Sequence, residues 1–182
     1  IDAIWNGYSV TKERKEKVAF TRSYLLNRQD LVTKKKSHIL NLNDMTGKVL
    51  GLQTGSTAST ALDAQPKVLK DKIKDQTPIL YDTFPSAFID LNAGRIQGIL
   101  MDEVYANYYL KHLSDSGSYR TLISKTFPAD SFAVGLRKGD KTLKKKINDG
   151  LAKLQKNGEL AKINEKWFGK KSNYLGPVNG KN

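Results

Sequence analysis

Short apolar runs alternate with helical spacings through the middle of the chain. Residues 49–53 (VLGLQ), bracketed by turn signals, predict a buried strand, and 78–81 (PILY) and 96–101 predict a second and a third. Between them, residues 57–69 have helical character broken at Pro66, and Phe84, Ala87, Phe88 and Leu91 recur at helical spacing over 84–93. Asp82 or Thr83 supplies a cap for that second helix, Pro85 sits in its first turn, and Gly94 ends it. A third helix is predicted over 104–113. The strand–helix alternation predicts an α/β fold with a parallel sheet. Beyond it, 120–127 reads as extended and 132–136 (FAVGL) as one buried strand. Two closing helices follow. Leu143, Ile147, Leu151 and Leu154 share one face before Asn157 and Gly158; Leu160, Ile163 and Trp167 share another before Gly169. The last thirteen residues, KKSNYLGPVNGKN, read as linker.

The segments before residue 28 and after residue 128 are each too short to bury a core alone. They are expected to pack together as one lobe, 1–28 with 128–182. Residues 29–127 form a second lobe inserted between them, joined to the first by two crossing strands in a hinge arrangement.

Composition narrows the chemistry. The 182 residues are 38% hydrophobic and 27% charged, as in ordinary globular proteins, and hold no run of 18 apolar residues that would span a membrane. The absence of cysteine removes disulfides, thiolate nucleophiles and thiolate metal sites. His38 and His112 stand far apart without metal-ligand spacing, so neither a metal nor a cofactor is expected. The net charge of +13 raises nucleic-acid binding as a possibility. The lysines are dispersed, however, and the KKK runs at 34–36 and 144–146 have no interleaved aromatic platform. A solvated cationic surface is the better reading, able to hold the protein near an anionic envelope.

Three places carry candidate chemistry. In WNGYSVTKER, Arg14 offers a planar fork of donors that suits a carboxylate, or is a surface charge. In QTGSTAST, Gly55 permits a turn, and Ser56 and Thr57 form either an anion site at a helix start or an ordinary N-cap. Asp102, directly after a strand, either caps the following helix or presents a carboxylate to a cation. Taken together, two carboxylate receivers and one ammonium receiver match a free α-amino acid. The Gly7 carbonyl and Ser9 hydroxyl add further acceptors.

These residues stand in stretches that resemble the amino-acid-binding proteins of bacterial ABC importers, the extracellular solute-binding family 3. The stretches are DAIWNGYSVTKERKEKVAF, GKVLGLQTGST, DLNAGRIQGILMDE, FAVGLRKGD and LAKLQKNGELAKINEKWFG. The resemblance implies a two-lobed, type II periplasmic-binding-protein-like fold with parallel or mixed sheets and two hinge strands. It implies that Arg14 clamps the ligand carboxylate, that Thr57 caps it with Ser56 beside, and that Asp102 pairs with the ammonium. Gly7 and Ser9 are implied first-lobe acceptors, with Asn6 next to them; Trp5 and Tyr8 either line the pocket or turn into the core. Membrane permease subunits are the implied partners, and the implied location is extracytoplasmic, in the periplasm or at the cell surface, tethered as a lipoprotein.

Family members begin earlier, with a strand, a helix and a strand of the first lobe. The start of this chain therefore reads as a truncation and its first lobe as incomplete. Residues 1–5 would then be an uncovered inner strand through which the chain pairs with another copy. The competing readings are a dehydratase-like enzyme on the same fold, with Glu103 as the one acid beside Asp102, and the ligand-binding domain of a sensor or channel.

Overall fold

The computed structural model describes residues 1–123 and 125–169. The chain divides into two compact units, and the boundaries fall between Asn27 and Arg28 and between Pro128 and Ala129. The first unit begins with β1 (Ala3–Ile4), α1 (Lys12–Lys17), β2 (Ala19–Phe20) and β3 (Leu25–Asn27). The second holds β4 (Gln29–Lys34), β5 (Leu50–Gln53), α2 (Thr57–Ala64), β6 (Ile79–Tyr81), α3 (Phe84–Ala93), β7 (Gly98–Asp102), α4 (Glu103–Lys111) and β8 (Tyr119–Ile123). The chain then returns to the first unit with β9 (Asp130–Phe132), β10 (Gly135–Leu136), α5 (Lys141–Lys156) and α6 (Glu159–Phe168). The predicted linker at 170–182 lies outside the described residues.

In the second unit five strands form one sheet in the order β6-β5-β7-β4-β8. The strands expected from the alternation, β5, β6 and β7, are parallel to one another. The sheet as a whole is mixed, because β4 lies antiparallel between β7 and β8. Side chains alternate across it as strand geometry requires. Leu31 and Leu100 pack on the face that carries α2, while Val32, Ile99 and Met101 pack on the face that carries Phe84 and Phe88 of α3.

β4 is absent from the hydrophobic pattern because only Leu31 and Val32 are apolar among its six residues, all of them buried. Its one cationic member, Lys34, is paired by tertiary partners. The Lys34 ammonium donates to Asp115 Oδ2 at 3.2 Å and lies 3.9 Å from the centre of the Tyr119 ring. Such pairing is what lets a lysine be buried.

Local chemistry sets the helix limits. α2 stops at Gln65 because the residue before a proline is driven out of helical geometry. α3 begins at Thr83, whose Oγ1 accepts from Ser86 N–H, and ends at Gly94 with φ +76°.

Two expectations are corrected in the first unit. Residues 132–136 are not one strand. β9 pairs with β3 in a two-stranded ribbon, and β10 lies between β1 and β2 in a separate three-stranded sheet. Ala133 and Val134, both fully buried, carry the chain from one to the other. The inward face of α6 holds Leu160 and Asn164, whereas Ile163 and Trp167 are 45% and 44% exposed. Two further limits are shorter than expected. The extended stretch predicted over 120–127 is strand only to Ile123. Within the predicted strand at 1–5, only Ala3 and Ile4 pair, and Trp5 is 59% exposed.

Candidate functional site

In the second unit, two strand ends deliver the predicted groups. β5 turns through Gly55 (φ +67°, favourable to glycine) into α2, so Ser56 takes the N-cap position and Thr57 the first helical one. β7 ends at Asp102, which takes the N-cap position of α4. Neither cap side chain caps its helix. Ser56 Oγ is buried and has no hydrogen-bond partner among the described residues. Asp102 Oδ1 instead accepts a hydrogen bond from Gln29 Nε2 at 2.9 Å. The same nitrogen donates to Thr57 Oγ1 at 3.2 Å.

Neither the Ser56 nor the Asp102 side chain therefore makes the bond of an ordinary N-cap, which goes to the N–H groups two or three positions on. The backbone N–H groups at the start of an eight-residue helix such as α2 have no intrahelical acceptors. The hydroxyls of Ser56 and Thr57 stand beside them. Asp102 supplies negative charge close by, through the Gln29 bridge.

Gln29 was not among the residues nominated from sequence. It is 2% exposed and sits opposite Asp102 in the β4–β7 register. Its Oε1 is buried with no partner among the described residues, an arrangement that costs about 1–3 kcal/mol. The signal in the sequence is slight: a polar residue ahead of Leu31 and Val32. Its link to Asp102 spans 73 positions.

Glu103, beside Asp102, is tied back to the unit. Its backbone N–H donates to the Arg28 carbonyl at 2.9 Å, and its carboxylate lies 3.3 Å from Arg28 Nε. Burial pushes its carboxyl above the usual range, and the Arg28 charge opposes that rise.

In the first unit, Thr11 caps α1 by accepting from Arg14 N–H at 3.1 Å, which sets Arg14 in the first turns of that helix. The guanidinium donates from Nη1 to the Ser9 carbonyl at 3.1 Å and stacks on Tyr8. Tyr8 is half-buried against Phe20, with ring centres 5.3 Å apart. The turn ahead of it is tight: the Asn6 carbonyl accepts from Tyr8 N–H and from the Tyr24 hydroxyl, both at 2.7 Å. Burial pushes the Tyr24 phenol up to about 12, and a hydrogen bond with Trp5 opposes that rise. Gly7 is exposed and packs on Phe132, where an added Cβ would stand 3.4 Å from the ring. Ser9 is 1% exposed and bridges to Phe132.

Asn6, Gly7, Ser9 and Arg14 thus gather in the first unit, and Ser56, Thr57 and Asp102 in the second. Among the described residues no group of three His, Asp or Glu is placed to hold a metal ion.

The family model described as bacterial extracellular solute-binding proteins, family 3, matches residues 1–170. The ABC transporter arginine-binding protein 1 of Escherichia coli K12 is 29% identical over 168 residues, 92% of this chain and 66% of its own length. The L-cystine-binding protein TcyJ of the same strain is 30% identical over 171 residues, 93% of this chain and 60% of its own length. The chain therefore spans somewhat less than two thirds of these curated relatives. Among solved structures, an ABC uptake transporter substrate binding protein from Streptococcus pneumoniae with bound histidine matches with a TM-score of 0.85 at 48% identity, over 93% of this chain and 68% of that one. A polar amino acid ABC uptake transporter substrate binding protein from Streptococcus thermophilus matches with a TM-score of 0.65 at 50% identity, over 98% of this chain and 66% of that one.

Proposed function

Because the chain belongs to the bacterial extracellular solute-binding proteins, family 3, with the α/β, mixed-sheet fold of type II periplasmic binding proteins, we propose that it captures a free polar amino acid. It then delivers that ligand to the membrane permease of an ABC importer. Arg14 and the Ser56–Thr57 start of α2 receive the α-carboxylate, and Asp102 receives the α-ammonium. Gly7 and Ser9, with Asn6 beside them, supply first-lobe acceptors. Residues 1–28 with 128–182 act as one lobe and 29–127 as the other.

The observation that carries this reading is that Asp102 and Ser56 stand at helix starts without capping them. Neither side chain is spent on capping its own helix. The relatives' names speak of arginine, cystine and histidine, ligands that share only the α-amino-acid end and a polar side chain. The proposed site addresses that shared end.

Binding of this kind needs no covalent step and no cofactor. Glu103, the acid a dehydratase-like reading would use, is ion-paired to Arg28. The protein works outside the cytoplasm, in the periplasm or as a lipoprotein at the cell surface. Among the described residues no helix is long and apolar enough to cross a membrane.

A thermal-shift screen of the proteinogenic amino acids and cystine tests the reading, followed by calorimetry on the hits. A ligand that binds only the folded state raises the melting temperature by mass action. One polar amino acid or a small group of them should do so. No shift and no heat with any of them would overturn the proposal.

A further inference from the structure

Three elements converge on one buried amide. Gln29 opens β4, Thr57 opens α2 and Asp102 closes β7, and the Gln29 nitrogen donates to Asp102 Oδ1 at 2.9 Å and to Thr57 Oγ1 at 3.2 Å. An amide nitrogen carries two hydrogens, one for each bond. We propose that Gln29 is the positioning residue of the second unit, holding the ammonium acceptor Asp102 and the carboxylate donor Thr57 in one frame. This inference rests on the amino-acid reading above.

The polarity of the bonds supports it. Thr57 Oγ1 accepts one hydrogen of the Gln29 amide and Asp102 Oδ1 accepts the other, so a single amide orients both oxygens. Reversing the amide would set its carbonyl oxygen against the Asp102 carboxylate, so the orientation is determined by charge.

Geometry supports it as well. In an α-amino acid the ammonium and carboxylate are joined through a single carbon, so the groups that read them must be held at a constant separation. Helix capping does not supply that constraint, since Asp102 makes no side-chain cap bond. One amide bonded to both residues does.

The residue type is the third support. A side chain that is 2% exposed at a strand start would be filled more cheaply by leucine, which has no buried oxygen to leave without a partner. Glutamine at this position has a use that packing does not explain.

The test compares Gln29→Leu and Gln29→Glu with the unmodified protein. Gln29→Glu preserves shape but replaces the donor with a charge that repels Asp102. Calorimetry uses whichever of L-histidine, L-arginine, L-glutamine and L-cystine the unmodified protein binds. Both variants should lose roughly ten- to a hundredfold in affinity, the range for a hydrogen bond to a charged group. In an Asp102→Asn background the loss from Gln29→Leu should shrink, because residues that act through one another are not additive. A purely structural role would leave that loss unchanged, and an equal loss in both backgrounds, or wild-type affinity in Gln29→Glu, overturns the proposal.

Failure of the unmodified protein to bind any probe would count against the amino-acid reading instead. The ligand-free crystal structure of Gln29→Leu then decides positioning by itself. Displaced Thr57 and Asp102 side chains support it, and both unmoved overturn it.

Discussion

The guanidinium carbon of Arg14 lies 4.5 Å from the centre of the Tyr8 ring. The ring is backed by Phe20, and the guanidinium is held from the other direction by the Ser9 carbonyl. A cation stacked this way is partly desolvated, and its donors are held in a rigid plane.

Replacement of Arg14 should therefore abolish tight ligand binding while leaving the protein folded. Losing one partner of a hydrogen-bonded charge pair costs about 2–5 kcal/mol, at the low end about thirtyfold in affinity. Arg14→Lys should not restore it, because an ammonium has neither the fork nor the flat face for Tyr8. Calorimetry on Arg14→Ala and Arg14→Lys measures this, and wild-type affinity in Arg14→Ala would exclude the clamp.

Gly135 supports the same stack from below. A Cβ there would stand 2.8 Å from Tyr8 Cε1 and 3.1 Å from Cδ1, too close for an aromatic ring held by its neighbours. Gly135→Ala should destabilise the first unit by roughly 1–3 kcal/mol, as overpacking does, and should weaken ligand binding by tilting Tyr8 under Arg14. Urea melts and calorimetry read the two effects. An unchanged midpoint would mean that the ring moves aside freely.

Asp102→Asn should weaken binding of a free amino acid more than binding of its N-acetyl derivative. Asparagine keeps the shape but loses the charge that matches the ammonium and strengthens the bond from Gln29. Equal weakening of both ligands would leave Asp102 with no role in reading the amine.

The acid limb of stability should depend on Asp44. Its Oδ2 accepts from Leu40 N–H at 2.7 Å and from Asn41 N–H at 3.0 Å, bonds that hold its carboxyl below the ordinary range. A depressed carboxyl stabilises the fold above its unfolded-state value and ceases to do so as pH falls through the folded one. Between about pH 5 and pH 2 the unmodified protein should lose a component of stability that Asp44→Asn lacks throughout. Urea midpoints across that range would show parallel curves if the linkage is absent.

Local chemistry was enough to place most helices and to nominate the charged groups. Pro66, Thr83, Pro85, Gly94 and Gly158 act on their own neighbours, so the limits of α2, α3, α5 and α6 were legible within a residue or two wherever such a signal stood. Arg14, Thr57 and Asp102 could be nominated because each follows a strand or turn in a recognisable stretch. β4 was not legible, since four of its six residues are polar and the partners of its buried Lys34, Asp115 and Tyr119, lie far along the chain. For the same reason the sequence alone could not show that residues 130–136 serve two sheets, or that Asn164 rather than Trp167 turns inward. Gln29 is the clearest case. Its identity says only that it is polar, and its place between Thr57 and Asp102 exists once β4 pairs antiparallel with β7. Hydrophobic periodicity and turn residues act over a few positions and are written in the chain; the pairing of buried polar groups acts across it, and only the tertiary structure decides it.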